Sequence, residues 1–235
     1  MMLLSISIGN GLQNTIKNKV SSFFGHVLIT NFQNNNSESS LDPILIKEDL
    51  EKVFELNNIN HVQSVAYKTG LVTSNTTFEG VVFKGINSDF NYDIFSDYVL
   101  HGKIPEITDS LTNQVAISNF LSKRINLKIG DKFKTSFFNA NSNIPNERNF
   151  EVVGIYESGL KDFDNLYFFG DIKHIQKMNK WHSSQVGNFE IFINDFDEIE
   201  SITNKLYSDT PSNLDVISIS EKFPEIFNWI KLWKK

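Results

Sequence analysis

Acidic side chains are the first candidates for chemistry in this 235-residue chain. They form two groups, which are Asp162, Asp164 and Asp171, and then Asp195, Asp197, Glu198 and Glu200. Clustered carboxylates are good ligands for calcium, but a calcium-binding loop also needs a glycine and a terminal glutamate at fixed offsets. Neither group meets that requirement. We therefore interpret both groups as solvated surface rather than as a metal site.

Histidines and glycines give no stronger candidate. The histidines form no HExxH motif and no pair spaced by four residues; they are His26, His61, His101, His174 and His182. The GxG at Gly9–Gly11 is followed by Asn14 and no strand precedes it, so it fails as a dinucleotide fingerprint. GxSxG and P-loop motifs are absent, and without cysteine there is no Cys–His pair. We expect no catalytic residue, no metal and no cofactor, and hence a protein that is not an enzyme.

Composition narrows the class of protein. Hydrophobic residues make up 40% of the chain and charged residues 21%, which is typical of a folded globular protein of one large or two small domains. The net charge of −6 argues against nucleic-acid binding, because such proteins carry a basic surface. The absence of cysteine excludes a disulfide framework.

The two ends of the chain are unusually apolar. Residues 1–8 are apolar but too few to span a bilayer, and they lack the basic region and cleavage site of a signal peptide. The last residues are FPEIFNWIKLWKK, which interleave tryptophan and lysine at Trp229, Lys231, Trp233, Lys234 and Lys235. This combination is typical of a helix at the headgroup level of a bilayer. Both ends either pack on the protein's own core or continue into membrane helices, and we favour the second interpretation.

Hydrophobic periodicity predicts a mixed α+β protein. The predicted helices are 12–24 with the apolar stripe Leu12, Ile16, Val20 and Phe23, then 46–57, 92–98, 119–126, 172–178, 197–207 and one beginning near Ser220. The predicted strands are 26–30, 61–68, 71–78, 79–86, 114–118, 132–138, 150–157, 166–171, 187–194 and 214–220. Strands 71–78 and 79–86 are expected to form a hairpin, and another hairpin has its tip at 141–146. Sets of β-α-β elements at both ends flank a β-rich centre, which predicts one domain inserted into another.

Five stretches in this order resemble a known family. They are GLQNTIKNKVSSFFGHVLI, VVFKGIN, NQVAISNFLSKRINLKIGDKF, NFEVVGIYESGLKDFDNLYFF and FPEIFNWIKLWKK. Together they resemble the large extracytoplasmic domain between the first two membrane helices of ABC-transporter permeases of the lipoprotein-releasing LolC/LolE and MacB/FtsX-like type. The most specific feature is the pairing of NFLSKRINLKIGDKF with FEVVGIYESG across a short hairpin.

This resemblance implies a MacB-like periplasmic core and a set of partners. A discontinuous α+β porter subdomain would comprise 1–87 and 186–235, with its ends as membrane-helix stumps, and a β-rich sabre subdomain would be inserted at 88–185. The permease would lie in the inner membrane with this domain in the periplasm. It would pair with a second permease subunit, as a homodimer or heterodimer, and with a cytoplasmic ATPase through the membrane helices.

The resemblance also points to a partner-binding hairpin. In lipoprotein-releasing permeases, one type of subunit recruits the periplasmic lipoprotein carrier with a protruding hairpin, and FFNANSNIPNERNF falls at the matching place but is shorter. Its candidate contact residues are Asn143, Ile144, Pro145 and Arg148. A partner cleft can hold an exposed hairpin that carries an apolar residue and a proline. An ordinary polar hairpin tip is the alternative interpretation.

Three functions therefore compete at this stage. The first is non-catalytic participation in the release of lipoproteins from the inner membrane to a periplasmic carrier. The second keeps the family but assigns MacB/FtsX-like mechanotransmission to a channel, an adaptor or a cell-wall hydrolase. The third is a free-standing soluble binding protein whose terminal helices are docked on its core.

Overall fold

The structure is a computed structural model that describes residues 2–34, 37–46, 48–56, 58–73, 78–139 and 142–232. Its helices are α1 Met2–Phe24, α2 Glu48–Val53, α3 Tyr92–Ser96, α4 Asn119–Ile125, α5 Lys161–Leu166, α6 Lys173–Asn179, α7 Ile199–Asp209, α8 Ile219–Lys222 and α9 Pro224–Leu232, with 3-10 helices at Phe32–Asn34 and Phe196–Glu198. Its strands are β1 Val27–Asn31, β2 Ile44–Leu45, β3 Ile59–Thr73, β4 Phe78–Ile86, β5 Val99–Gly102, β6 Gln114–Ser118, β7 Lys132–Asn139, β8 Ser142–Tyr156, β9 Tyr167–Asp171, β10 Gln185–Val186, β11 Asn188–Ile193 and β12 Leu214–Ser218. This content confirms the predicted α+β class.

The chain forms two compact units. The first unit comprises Met1–Ile29, Glu48–Val62 and Glu190–Lys235, and the second comprises Thr30–Lys47 and Gln63–Phe189. Each unit is therefore assembled from segments that are separated in the sequence. Each also has its own buried apolar residues, so each is described separately below.

The first unit places its strands in the order β12, β1, β11, with the first residues of β3 next. The C-terminal part of α1 buries Val20, Phe23 and Phe24, whereas Leu12 is exposed. The predicted apolar stripe of this helix is therefore buried only toward its C-terminal end. The helix also begins at Met2 and runs through Gly9–Gly11, further than the periodicity indicated. A glycine inside a helix costs only about 1 kcal/mol relative to alanine, which a 23-residue helix tolerates.

The second unit contains a closed ring of strands. β3 pairs with β4, β4 with β9, β9 with β6, β6 with β8, β8 with β7, and β7 pairs back with β3. Closure satisfies the backbone groups that an open sheet would leave at its edges. Buried phenylalanines from these strands pack together, with Phe83 lying 4.9 Å from Phe168 and 5.1 Å from Phe150 between ring centroids. β5 pairs antiparallel with the last residues of β8, from Gly102 opposite Gly154 to Val99 opposite Tyr156.

Gly70 explains why one strand was predicted as two. The sequence suggested separate strands at 61–68 and 71–78, but β3 runs without a break from Ile59 to Thr73, across the first predicted strand and into the start of the second. Its hairpin partner β4 begins at Phe78. Gly70 lies opposite Phe137 of β7, and a Cβ at Gly70 would come within 2.8 Å of that ring. The glycine thus permits close packing inside the strand instead of marking a turn.

The C-terminal helix begins differently from the prediction. Helix α8 starts before the predicted position near Ser220, and Ser218 caps it, because the Ser218 Oγ accepts a hydrogen bond from the Glu221 backbone N–H at 3.2 Å. Glu221 Oε2 in turn accepts from the Ser218 backbone N–H at 2.7 Å, which completes a capping box. Phe223 is not helical, because the α conformation is disfavoured for the residue before a proline. Helix α9 then starts at Pro224.

Candidate partner-binding surface

The hairpin of β7 and β8 carries an enlarged bulge near its end. From Lys132 opposite Glu151 to Phe137 opposite Asn146, the two strands pair residue by residue. The next pair is Asn139 opposite Ser142, so one residue of β7 faces three residues of β8. Those three are Asn143, Ile144 and Pro145. Proline is tolerated at bulges because it has no backbone N–H to contribute to the ladder.

The bulge brings exposed apolar side chains from both strands to one place. Ile144 is 77% exposed, and Phe138, the single residue facing the bulge, is 54% exposed. Phe137 is fully buried, and because side chains alternate along a strand, Phe138 is directed away from that core. We call Phe138, Ile144 and Pro145 the bulge surface. Large apolar side chains that remain exposed together are typical of a binding surface.

The bulge lies beyond the strands that flank the hairpin. The pairing of β7 with β3 ends at Phe137 opposite Gly70, and the pairing of β8 with β6 begins at Glu151 opposite Gln114. The ladders that β7 forms with β3 and that β8 forms with β6 therefore both stop before the bulge.

Three of the four predicted hairpin residues lie in the bulge, and Arg148 does not. Arg148 lies in the regular ladder opposite Thr135, and its Nη1 donates to the Glu147 carbonyl at 2.8 Å. Glu147 also forms a 3.0 Å ion pair with Lys134, but both side chains are half-exposed, so the pair contributes about 1 kcal/mol at most. The backbone of Asn143 lies in the bulge, and its side chain lies outside the described residues.

Phe138 was missed by the sequence analysis. The sequence pattern singles out the apolar residue and the proline in an Asn-rich stretch, and it predicts a tip at 141–146 with the return strand starting at 150. The structure corrects this prediction, because β8 already begins at Ser142. The Phe137–Phe138 pair could have indicated it, because two successive phenylalanines in a strand face opposite sides and only one of them can point into the core.

The C-terminal helix is amphipathic in its described part. Phe227 and Ile230 are buried, whereas Trp229 is 42% exposed. The side chain of Lys231, and all of Trp233, Lys234 and Lys235, lie outside the described residues, so only one of the predicted membrane-proximal side chains is seen. No helix in the part of the chain that the structure describes is long and apolar enough to cross a bilayer.

Two of the predicted surface carboxylates are in fact buried. Asp164 accepts hydrogen bonds from the backbone N–H groups of Ser158 and Gly159, at 2.9 and 3.1 Å. Asp171 accepts from the backbone N–H of Thr112 at 3.1 Å and also from Lys173. Their interpretation as solvated surface is wrong, because loop backbone groups need these carboxylates as acceptors. Across the described residues, no group of His, Asp and Glu is arranged to hold a metal ion.

Two histidines are held in structural positions. His26 Nδ1 accepts a hydrogen bond from the Ile193 backbone N–H at 3.2 Å, and burial lowers the pKa of His26 to about 4. His174 Nε2 lies 2.9 Å from the Thr112 carbonyl oxygen, and its ring packs on Phe150 at 5.0 Å. Burial lowers the pKa of His174 as well, although its hydrogen bond to Thr112 acts in the opposite direction. Both side chains are therefore neutral at pH 7; His174 is fully buried, whereas His26 is partly buried.

Comparison with known proteins gives a family and named relatives. The MacB-like periplasmic core domain matches residues 1–206. The lipoprotein-releasing system transmembrane protein LolC of Buchnera aphidicola subsp. Acyrthosiphon pisum is 22% identical over 218 residues, covering 88% of this chain and 51% of the relative. LolC of Haemophilus influenzae is 23% identical over 199 residues, covering 83% and 47%. The chain thus spans about half the length of these relatives.

Solved structures share the fold. The periplasmic region of MacB from Actinobacillus actinomycetemcomitans superposes with a TM-score of 0.53 at 16% identity, covering 87% of this chain and 93% of that one. The extracellular domain of the noncanonic ABC-type transporter YknZ from Gram-positive bacteria gives 0.51 at 15%, covering 82% and 99%. The family match extends over most of the chain and agrees with the predicted resemblance to LolC-like and MacB-like permeases. The chain therefore belongs to the family of MacB-like periplasmic core domains.

Proposed function

We propose that this chain is the periplasmic part of an inner-membrane ABC-transporter permease that passes lipoproteins to a periplasmic carrier. Membership of the MacB-like family supports the class of transporter, and two relatives named as lipoprotein-releasing proteins support the cargo. The observation that carries the proposal is the bulge surface, which exposes Phe138 and Ile144 at the end of a hairpin. A carrier cleft that covered these side chains would remove apolar surface from water, which favours binding.

The rest of the transporter follows from the same proposal. Helices α1 and α9 lead toward membrane helices, through which a second permease subunit and a cytoplasmic ATPase are engaged. In this proposal the porter-like part comprises 1–87 and 186–235 and the inserted sabre-like part 88–185, a division that differs from the two compact units in assigning 30–47, 63–87 and 186–189 to the porter-like part. The chain itself performs no catalysis, so its contribution is to bind a partner and to move.

The expected result is saturable binding of this chain to the lipoprotein carrier of the same organism. We expect a dissociation constant of about 1 μM or tighter, equivalent to about −8 kcal/mol. The double variant Ile144→Ser, Pro145→Ser is expected to weaken binding by about 30-fold or more, because truncating a central apolar contact costs about 2 kcal/mol. Isothermal titration calorimetry measures both values.

The matched control for this titration is Leu111→Ser, which changes an exposed leucine outside the hairpin. It is expected to bind the carrier as tightly as the unmodified chain. Absence of binding by the unmodified chain would contradict carrier recruitment. Equal binding by all three forms would show that the carrier contacts a surface other than the bulge surface.

A second function is supported by the solved structures. The neighbours with the same fold are domains of MacB and of the transporter YknZ. This similarity favours mechanotransmission to a channel, an adaptor or a cell-wall hydrolase as the alternative. The alternative predicts that a protein of one of these classes binds the chain and that the lipoprotein carrier does not.

A further inference from the structure

A single aromatic ring in the first unit contacts both terminal helices. Phe196 opens the 3-10 helix between β11 and α7. The Lys17 ammonium of α1 lies 4.6 Å from the centroid of its ring. The Phe227 ring of α9 stacks on it, with centroids 5.8 Å apart and ring planes 9° apart. One side chain therefore joins α1 to α9, although the two helices come from opposite ends of the chain.

The backbone that carries Phe196 is held in place. Asp195 Oδ1 accepts a hydrogen bond from the Asp197 backbone N–H at 2.9 Å, which caps the 3-10 helix. Asn58 Nδ2 donates to Glu198 Oε2 at 2.6 Å and ties the same turn to the start of β3. The edge of His26 also packs on the Phe196 ring, at 5.8 Å between centroids. The Phe196 ring is thus held in place by its own backbone contacts, and both α1 and α9 pack against it.

We propose that Phe196 is a positioning residue that couples the movement of α1 to that of α9. A displacement of either helix would have to break its contact with the ring or carry the other helix with it. A stacked aromatic pair and a cation over a ring each supply a directional contact beyond simple burial. The inference rests on the proposed function only in that these helices lead toward the membrane.

The test measures the distance between the two helices. Because the chain contains no cysteine, spin labels can be attached specifically through Asn14→Cys on α1 and Asn228→Cys on α9, both at exposed positions. Double electron–electron resonance on the unmodified background is expected to give one narrow distance distribution. Phe196→Leu keeps most of the apolar volume but removes the ring. It is expected to raise the population of a second, displaced arrangement by roughly fivefold, which corresponds to about 1 kcal/mol.

Further variants separate coupling from general loss of structure. Phe196→Tyr keeps the ring and is expected to restore the narrow distribution, and Tyr207→Leu changes an exposed aromatic of α7 and is expected to leave it unchanged. Lys17→Met is expected to broaden the distribution in the unmodified background but to add nothing to Phe196→Leu. An unchanged distribution in Phe196→Leu would overturn the inference. Equal broadening in Phe196→Leu and Tyr207→Leu would also overturn it, and neither result depends on whether a carrier binds.

Discussion

Phe83→Ala is expected to lower the free energy of unfolding by about 3–5 kcal/mol. Phe83 is fully buried, and its ring packs against Phe137, Phe150 and Phe168 within the closed ring of strands. Removing it leaves a cavity that neighbours on several strands cannot fill together. Since small domains are stable by only about 5–15 kcal/mol, this loss is a large part of the total. Urea denaturation followed by circular dichroism measures it.

A graded variant and a surface control make this prediction specific. Phe83→Leu keeps most of the volume and is expected to cost less than about 2 kcal/mol, which keeps the measurement possible if the alanine variant does not fold. Phe32→Ala removes an exposed phenylalanine and is expected to change stability by about 0.5 kcal/mol or less. Similar losses for Phe83→Ala and Phe32→Ala would contradict the packing described for the second unit.

Acidification is expected to destabilise the chain through His26. Its pKa is about 4 in the folded state and about 6.5 in the unfolded state, so between these values the unfolded chain binds more protons. The contribution of His26 to the free energy of unfolding is therefore fully present above pH 6.5 and is lost as the pH decreases towards 4. Below pH 4, His26 causes no further loss. The difference between the two pKa values corresponds to a loss of roughly 3 kcal/mol at most in the free energy of unfolding. The lowered pKa of His174 acts in the same direction.

The variant His26→Asn isolates this contribution. Asparagine offers an oxygen near the position of Nδ1, so it can still accept from the Ile193 N–H but cannot gain a proton. Its free energy of unfolding, from urea curves between pH 4 and pH 7, is expected to depend less on pH than that of the unmodified chain. His182→Gln changes an exposed histidine and is expected to retain the full dependence. If the free energy of unfolding depended on pH to the same extent in all three forms, His26 would not be the source of the acid destabilisation.

Much of the fold was predictable because the apolar periodicities are strong. Strands 114–118 and 187–194 and helix 119–126 were placed within one residue at each end. The prediction failed where tertiary pairing overrides local signals. Gly70 resembles a turn residue, yet it lies inside β3 because the Phe137 ring needs the space. β5 was not predicted, since its pairing with β8 leaves no periodic pattern in only four residues.

The candidate site was predictable in part for the same reasons. Ile144 and Pro145 stood out as an apolar residue and a proline in a polar stretch. Phe138 did not, because its proximity to them depends on the register of β7 and β8 and on the extra residues in the bulge. The burial of Asp171 could not be predicted either, since the Thr112 N–H that it accepts from is distant in the sequence and is brought close only by folding. Asp164 accepts from the nearby Ser158 and Gly159 N–H groups, in a loop that has no periodic pattern.

Site-specific crosslinking tests most directly whether the bulge surface contacts a lipoprotein carrier. A photoreactive side chain would be placed at Ile144, at Phe138, or at Phe78, which is at least as exposed as Phe138 but lies on the other hairpin. The expected result with purified carrier is a crosslinked product from Ile144 and Phe138 and none from Phe78. A product from Phe78 alone, or none from Ile144 while the carrier binds the chain, would contradict carrier recruitment by this surface.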